Sequence, residues 1–278
     1  MRRRSLASTL MTSVFDRSAG IPNLRDIGGH GTGDGRRVRR GLLFRSVALS
    51  HVVAGDLAGL EEVAIRTVFD LRTAREQAHH PDRLPDGATV LELDVMADAV
   101  ESDPVTLLAL FEDPVSASAE LADGGMDRFL AATYRDLVLL SSARAAYGRL
   151  FGTLADPQAR PALVHCTAGK DRTGWAVAAL LLLLGVPQTT VLADYLRSDE
   201  EVRHAFAPAI DGFEARGGQR AVYRQLLGVE AHNLESAIAT MLDAHGTVEN
   251  YFSDGLGVDA ATQSRLREAF LEQGQGRP

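Results

Sequence analysis

A strand–loop–helix unit stands in the middle of the chain. Residues 163–166 form a short apolar run, which predicts a buried strand. A polar loop that contains Gly169 follows, and residues 172–184 then predict an apolar helix that Gly185 and Pro187 end. A strand that leads directly into a helix is typical of α/β proteins, so this unit favours a layered fold of sheet and helices.

Further segments extend this pattern. Residues 65–71 and 89–95 predict two more strands, and residues 141–155 have the apolar spacing of a helix. An Asp-Gly pair at residues 34–35, followed by the segment 36–44, predicts a hairpin near the N-terminus. We therefore predict an α/β fold with a central, mostly parallel sheet flanked by helices.

The chain shows no internal repeat, long charge block or low-complexity linker that would divide it. We predict a flexible N-terminal arm over residues 1–20 and a single domain over residues 21–278. Residues 96–128, with scattered prolines, glycines and acids, are predicted to form a mobile insertion. Helical spacing from residue 188 onward predicts a C-terminal helical layer, of which residues 188–245 form a lid region.

Composition narrows the possible functions. The 37 Asp and Glu residues outnumber the 29 Lys and Arg residues, and the net charge of -8 argues against a general nucleic-acid-binding role. Cys166 is the one cysteine, which excludes an intramolecular disulfide and a cysteine-based zinc cluster. The most apolar run, residues 175–184, is too short for a membrane span, which needs about 20 residues.

The N-terminus begins with three arginines at residues 2–4, as a secretory signal can. Serines and threonines interrupt the apolar residues that follow, and no clean cleavage site is present. We therefore expect a protein that is cytoplasmic, or secreted without a clear signal peptide. The oligomeric state stays open.

The chemistry of the chain is concentrated in the loop of the central unit. A loop whose backbone N–H groups point inward forms an anion-binding cradle, and the following helix adds the positive end of its dipole. Such a cradle stabilises a thiolate as well as a phosphate, and an arginine supplies a planar fork for two phosphate oxygens. The candidate residues are His165, Cys166, Thr167, Ala168, Gly169, Lys170, Asp171, Arg172 and Thr173.

Three alternative interpretations of this loop are weaker. A lone cysteine is usually an inert buried thiol, but here a histidine, an arginine, two glycines and a helix start coincide around it. A Walker A loop needs glycine at Val164 and serine or threonine at Asp171, and both positions fail. A rhodanese-like sulfurtransferase also places a cysteine after a strand, but it does not require the G-K-D-R-T-G run.

The loop resembles that of the cysteine-dependent phosphatases, whose H-C-x5-R-[ST] pattern is matched by residues 165–173. Its fuller form, H-C-x-A-G-K-D-R-T-G, is similar to a bacterial tyrosine-phosphatase-like branch of that superfamily. The resemblance extends from about residue 21 to the C-terminal helices. Three further blocks, taken together in this order along the chain, support the resemblance: N-L-R-D-I-G-G at residues 23–29, L-F-R-S at residues 43–46 and F-D-L-R at residues 69–72.

The resemblance implies a protein-tyrosine-phosphatase-like fold and hydrolysis of phosphate monoesters through a phosphocysteine intermediate, with no metal or other cofactor. Cys166 would attack phosphorus while Arg172 and the loop amides hold the developing charge. His165 would orient the loop, and Thr173 would either donate to the Cys166 sulfur or cap the helix. Phosphate would also be bound by the remaining loop residues, Thr167, Ala168, Gly169 and Lys170.

Two aspartates compete for the role of general acid. Asp171 lies inside the loop beside Arg172, and Asp70 lies at the end of a predicted strand, where α/β sheets place site residues. The alternative for Asp70 is an ion pair with Arg72 or Arg45. The loop position favours Asp171 slightly, and Asp70 stays open because the choice depends on geometry.

The expected partners are phosphorylated protein or phosphoinositide substrates. Lys170 would favour substrates with more than one phosphate, unless it pairs with Asp171 or Asp70. The resemblance implies activity on phosphotyrosine and also on phosphoserine, phosphothreonine and phosphoinositides. A lipid-specific phosphatase and a non-catalytic phosphate-binding protein remain alternatives. It also implies helices that cover the site, for which residues 96–129 and 202–229 are candidates.

Charged residues in the two N-terminal blocks have a simpler interpretation. An ion-pair network formed by Arg25, Asp26 and Arg45, which packs the N-terminal segment on the sheet, accounts for them without a catalytic role. Trp175, near the start of the helix that follows the loop, is predicted to pack that helix onto the sheet.

Overall fold

A computed structural model describes residues 20–100, 102 and 112–274 of the 278-residue chain. Within these ranges it confirms an α/β fold with a central, mostly parallel sheet between helices. The predicted N-terminal arm lies outside the described residues apart from Gly20, as does part of the predicted insertion. The strands are β1 (Arg25–Asp26), β2 (Arg36–Val38), β3 (Leu43–Ser46), β4 (Thr67–Asp70), β5 (Thr89–Glu92), β6 (Ala162–His165) and β7 (Leu271–Gln273).

Helices cover the sheet and form most of the C-terminal half. In the described ranges, no helix is both long enough and apolar enough to cross a membrane. The helices are α1 (Ala54–Glu62), α2 (Ala74–His79), α3 (Pro114–Leu121), α4 (Gly125–Leu139), α5 (Ser141–Leu154), α6 (Asp171–Leu183), α7 (Gln188–Leu196), α8 (Ser198–Ala205), α9 (Ala207–Ala215), α10 (Arg220–Leu227), α11 (Ala231–His245), α12 (Val248–Asn250) and α13 (Ala260–Phe270).

The five-stranded sheet has the order β1-β3-β6-β4-β5. Strands β3, β6, β4 and β5 are parallel, and β1 pairs with β3 in the antiparallel direction. Ser46, His165 and Asp70 are register partners at the carboxyl ends of the three inner strands. Ligands of open α/β sheets bind beyond this edge, so the register places the loop after β6 where a site is expected.

Both faces of the inner strands are buried. Val68 and Leu163 join an apolar cluster that contains Leu60 of α1. Phe69 and Val164 point to the opposite face and join the larger cluster around α6, in which the Trp175 ring is fully buried. Burial on two faces explains why the strand before the loop is a continuous apolar run rather than an alternating one.

The predicted hairpin forms only in part. The turn at residues 34–35 is made, and the N–H of Val38 donates to the carbonyl of His30 at 2.8 Å. The segment 36–44 is not one strand, however, because Gly41 has a φ of 79° and breaks the extended run. Strand β2 pairs with the C-terminal β7 in a separate two-stranded sheet, whereas β3 enters the main sheet.

The second half of the predicted insertion at residues 96–128 is helical. The Asp113 carboxylate accepts a hydrogen bond from the N–H of Ser116 at 3.3 Å, and Pro114 occupies the first position of α3. Both are typical helix-start residues, so the Asp-Pro pair is a signal of this helix in the sequence. Residues 101 and 103–111 of the predicted insertion lie outside the described residues.

The predicted C-terminal helical layer is present as helices α7 to α11 and α13. Its first two helices, α7 and α8, are separated by a turn at Arg197. The role of this layer as a lid stays a prediction.

Candidate active site

The loop between β6 and α6 begins with Cys166 at the carboxyl edge of the sheet. Strand β6 lies between β3 and β4 and is hydrogen-bonded to both, so the first residue of the loop leaves a rigid support. Cys166 is buried, with 2% of its surface exposed. The carbonyl of Thr167 accepts a hydrogen bond from the N–H of Ala48 at 3.1 Å, which ties the loop to the chain that follows β3.

Gly169 makes the turn of the loop. Its φ is 65°, in the left-handed region that favours glycine. A Cβ atom at this position would lie 2.1 Å from the Ser46 carbonyl oxygen. The loop therefore closes against β3 only because residue 169 has no side chain.

The backbone of the loop offers a run of free donors. Among the described residues, none of the N–H groups from Thr167 to Arg172 donates a hydrogen bond to a protein acceptor. The last two belong to the start of α6, where helical N–H groups have no partner within the helix. Unpaired N–H groups at a helix N-terminus form the arrangement that binds anions.

Arg172 is held beside this loop by Glu76 of α2. Its Nη1 lies 2.6 Å from one carboxylate oxygen of Glu76, and its Nη2 lies 2.8 Å from the other. Burial acts to raise the pKa of Glu76, but the charge and hydrogen bonds of Arg172 outweigh it and hold that pKa well below its usual range. Since a guanidinium has five N–H donors, the ion pair fixes Arg172 and leaves donors for an anion.

Glu76 is not among the residues that the sequence pattern indicated. Its carboxylate accepts a hydrogen bond from the N–H of Thr73 at 2.8 Å, and the Thr73 hydroxyl accepts from the N–H of Glu76 at 3.2 Å. This T-x-x-E capping box is visible in the sequence as a helix start. Its second role, in which the same carboxylate also accepts from the Thr167 hydroxyl and from Arg172, arises only from the packing of α2 beside the loop.

Asp171 is the first residue of α6, and its side chain is 22% exposed. Its Oδ1 accepts hydrogen bonds from the Tyr134 hydroxyl at 2.5 Å and from Lys170 Nζ at 2.9 Å. The Tyr134 hydroxyl also contacts that of Tyr195. The Oδ2 atom of Asp171 has no hydrogen-bond partner in the described part of the chain. The carboxyl is thus oriented through one oxygen while the other is open.

The side chain of Lys170 is used within the protein. Lys170 as a whole is 2% exposed. Its Nζ donates to Asp171 and, at 3.2 Å, to the carbonyl of Gly228. The ion pair with Asp171, the alternative prediction for Lys170, is therefore present in the structure. The expectation that Lys170 reaches a second phosphate does not fit this geometry, because its ammonium is buried and already bonded to Asp171 and Gly228.

Asp70 lies in a buried ion-pair network. Arg72 donates to both oxygens of Asp70, at 2.9 Å from Nε and 2.7 Å from Nη2, and to Asp82 at 2.8 Å. His165 is fully buried, with Nε2 3.1 Å from an Asp82 oxygen and Nδ1 3.2 Å from the Cys166 carbonyl oxygen. Asp70 is thus paired as the structural alternative predicted. His165 lies behind the loop and not among the groups that would touch phosphate.

Three residues of this network are of types that bind metal ions. Asp70, Asp82 and His165 each offer an atom, and these atoms lie within 4.8 Å of one another. The Arg72 guanidinium donates to both carboxylates, so the protein itself supplies the positive charge at this place. We interpret the cluster as an ion-pair support for the carboxyl edge of the sheet.

Two further loop residues differ in their surroundings. The Thr173 hydroxyl is buried without a hydrogen-bond partner in the described ranges, so neither of its predicted bonds, to sulfur or to a helix cap, is present. Ala168 packs on a small apolar cluster that contains Val202, Ile210 and Leu227. The candidate lid segment 202–229 is therefore in contact with the loop.

A cleft of about 690 Å³ opens beside the loop. Thr167 and Glu76 form part of its wall, and Arg75 lies at the same side on α2. Apolar residues that line the cleft include Phe206 and Pro208, from the junction of α8 and α9. The cleft therefore offers room for a substrate group next to the anion-binding loop.

Known proteins are similar to this chain over most of its length. A sequence profile described as the tyrosine phosphatase family matches residues 17–272. The triple specificity protein phosphatase PtpB of Mycobacterium tuberculosis is 30% identical over 275 residues, covering 91% of this chain and 97% of that protein. A protein of Cupriavidus necator whose name assigns it to the tyrosine-protein phosphatases is 33% identical over 251 residues, which are 90% of this chain and 86% of that protein.

A tyrosine-protein phosphatase of Nostoc commune is 27% identical over 237 residues, which are 80% of this chain and 72% of the relative. The profile match takes in the loop, the N-terminal blocks and the C-terminal helical layer alike. Two of the relatives reach 30% identity or more while covering nearly the whole chain. The chain therefore belongs to the tyrosine phosphatase family.

Proposed function

We propose that the chain hydrolyses phosphate monoesters through a covalent phosphocysteine intermediate on Cys166. One juxtaposition carries the proposal. Cys166 stands at the base of a loop whose N–H groups have no protein acceptor among the described residues, and Arg172 is fixed beside it by Glu76. A nucleophile and a set of preorganised donors at one place are what phosphoryl transfer requires.

In the first step the thiolate of Cys166 attacks phosphorus. The sulfur–phosphorus bond forms while the bond between phosphorus and the ester oxygen breaks. The loop N–H groups and the Arg172 guanidinium hold the negative charge of the phosphoryl oxygens. Asp171, protonated on Oδ2, gives its proton to the leaving oxygen, because its Oδ1 is already occupied by Tyr134 and Lys170.

In the second step water attacks the phosphorus of the thiophosphate. The carboxylate of Asp171 takes a proton from this water, and the sulfur–phosphorus bond breaks to release inorganic phosphate and the thiolate. The residues of the chain supply every group in this sequence of steps, so the proposal needs no metal or other cofactor.

The proposed substrates are phosphotyrosine and also phosphoserine, phosphothreonine and phosphoinositides. Support for this breadth comes from the name of the Mycobacterium tuberculosis relative, a triple specificity phosphatase. The cleft beside Thr167 also has room for leaving groups of different shape. A phosphoinositide-specific enzyme is the main alternative, and a protein that binds phosphate without turnover is the other.

The deciding experiment measures phosphate release by the purified chain from a phosphotyrosine peptide, a phosphoserine peptide and a panel of phosphoinositides, with a chelator present. We expect turnover by the wild type and none by Cys166→Ser. Trapping with a radiolabelled substrate at acidic pH should label the wild type on its single cysteine and leave Cys166→Ser unlabelled.

Each alternative function predicts a different result in this experiment. Release from phosphoinositides alone would show a lipid-specific enzyme. Phosphate binding without release from any substrate would show a non-catalytic binding protein. Turnover by Cys166→Ser at the wild-type rate would refute the phosphocysteine mechanism itself.

A further inference from the structure

The carbonyl of Gly169 receives two hydrogen bonds from buried side chains. Asn23 Nδ2 donates to it at 2.9 Å, and Arg45 Nη2 donates to it at 2.7 Å. Asn23 is 3% exposed and Arg45 is fully buried. Two donors on one carbonyl in the turn of the loop make a clamp, which we call the Gly169 clamp.

Asp194 of α7 anchors this clamp. Its carboxylate lies 3.4 Å from Arg45 Nη1 and 3.3 Å from Arg25 Nε. Arg25 donates in turn to the side-chain oxygen of Asn23, which sets the orientation of that amide so that its NH₂ faces Gly169. The clamp is therefore built from three separate parts of the chain, residues 23–25, Arg45 and Asp194.

The clamp controls the direction of a donor. The peptide bond between Gly169 and Lys170 is trans, so its N–H points away from its carbonyl. With the carbonyl held by Asn23 and Arg45, the N–H of Lys170 is turned to the opposite side of the loop. That N–H is one of the loop N–H groups that have no protein acceptor among the described residues.

The charges of the network favour this arrangement. Burial acts to raise the pKa of Asp194, but the neighbouring His30 and the charges of Arg25 and Arg45 outweigh it and hold that pKa well below its usual range. Burial and the neighbouring Arg25 lower the pKa of Arg45 to about 9, so its guanidinium stays charged at neutral pH. A buried cation is thus kept under the loop.

We propose that Asn23 and Arg45 are positioning residues for the phosphate-binding loop, anchored by Asp194. They preset the peptide between Gly169 and Lys170 so that its N–H is aimed at a bound oxyanion before the anion arrives. This inference rests on the proposed function, since the natural anion is the phosphoryl group of the substrate. The rival interpretation is an ion-pair network that only holds the N-terminal segment on the sheet.

Tungstate is a suitable probe because it is a tetrahedral oxyanion whose binding needs no turnover. We would titrate it into the full-length chain by calorimetry and follow the Lys170 amide by ¹⁵N–¹H spectroscopy. For Arg45→Met we expect at least tenfold weaker binding, together with loss of the tungstate-induced shift of the Lys170 signal. Asn23→Gly, which fits the φ of 58° at this position, should weaken binding in the same direction.

Arg267→Met is the control, at an arginine that is more exposed than Arg45 but has the same kinds of partner. Arg267 also donates to a main-chain carbonyl, that of Leu183, at 3.1 Å and to a carboxylate, that of Glu249, at 2.7 Å, but it lies on α13 away from the loop. It should lose thermal stability while tungstate binding and the Lys170 signal stay unchanged. A structural role alone would make Arg45→Met and Arg267→Met alike in both readouts.

The outcomes separate the clamp from the proposed function. Wild-type affinity for tungstate and an intact Lys170 shift in both Asn23→Gly and Arg45→Met would overturn the clamp. If Arg45→Met does not fold, Asn23→Gly alone decides by the same criterion. If the wild type itself neither binds tungstate nor releases phosphate, the proposed function fails and the clamp fails with it.

Discussion

At the scale of single residues, the choice between two aspartates is a matter of what surrounds each carboxyl. Asp70 is 2% exposed and is paired with Arg72 through both oxygens. Asp171 is partly exposed, and only its Oδ1 is occupied. An acid must reach the leaving oxygen, so exposure and an open oxygen favour Asp171.

Asp171→Asn should reveal this role through the leaving group. We expect hydrolysis of an alkyl phosphate, a poor leaving group, to slow by roughly 100-fold or more, because general acid catalysis contributes about 10²–10⁴-fold. Hydrolysis of a nitrophenyl phosphate, which leaves without help, should slow much less. Steady-state rates on both substrates measure the difference.

Asp70→Asn serves as the comparison for that prediction. It should lower thermal stability, since Arg72 would lose a buried partner, and it should change both rates by the same factor. Equal slowing of the two substrates by Asp171→Asn, with a leaving-group effect in Asp70→Asn, would reverse the assignment.

At the scale of elements, the shape of the strand–loop–helix unit depends on the close contact between its loop and the neighbouring strand β3. Strand β6 ends at His165, α6 begins at Asp171, and Gly169 turns the chain between them. The Ser46 carbonyl of β3 lies where a side chain at residue 169 would be. The sheet therefore sets the shape of the loop as much as the loop residues do.

Gly169→Ala should disrupt both stability and activity. The added methyl group would meet the Ser46 carbonyl, and alanine disfavours the positive φ. We expect a loss of at least ~1 kcal/mol in the free energy of unfolding and a large fall in phosphate release. Urea denaturation and the phosphatase assay measure the two effects.

Gly152→Ala is the control for this substitution. Gly152 lies within α5, and a Cβ there would have nothing within 4 Å. Because alanine is the better helix former, Gly152→Ala should raise stability by about 0.5–1 kcal/mol and leave the activity unchanged. Wild-type activity in Gly169→Ala would show that the close approach to β3 is relieved without cost.

At the scale of the whole molecule, buried carboxylates join segments that are far apart in the sequence. Glu76 binds Arg172 across 96 residues, and Asp194 binds Arg25 across 169 residues. The pKa of each carboxyl is depressed despite burial, because the arginine charges outweigh the cost of desolvation. These pairs therefore make stability depend on pH.

The sign of that dependence follows from the depressed pKa values. A carboxyl with a lower pKa in the folded than in the unfolded chain stabilises the fold above the unfolded pKa, and this contribution is lost as pH falls toward the folded pKa. We expect the free energy of unfolding of the wild type to decline below about pH 5. Urea denaturation from pH 7 to pH 3 measures the decline.

Asp194→Asn should be less stable than the wild type at pH 7 but lose less on acidification. Its acid-side slope should be shallower by up to ~1.4 kcal/mol per pH unit, the value for one proton. Asp254→Asn, at an exposed position on the surface, should leave the slope unchanged. Equal slopes for Asp194→Asn and the wild type would contradict the role of this carboxylate.

Much of the fold followed from local pattern. Five elements lie within two or three residues of their predicted bounds: β4, β5, β6, α5 and α6. Their apolar residues follow strand or helix spacing within the segment, so the pattern is visible locally. The pairing of β2 with β7 could not be predicted in this way. It joins residues at opposite ends of the chain, and neither short strand carries a distinct pattern.

The sequence by itself determined the central residues of the candidate site, since Cys166, Gly169 and Arg172 lie close together in one strand–loop–helix unit. Only the tertiary structure decided what supports them. Glu76 behind Arg172 and Asn23 on Gly169 act across 96 and 146 residues. Contacts at such separations depend on how the elements pack around the sheet, and no local pattern encodes that packing.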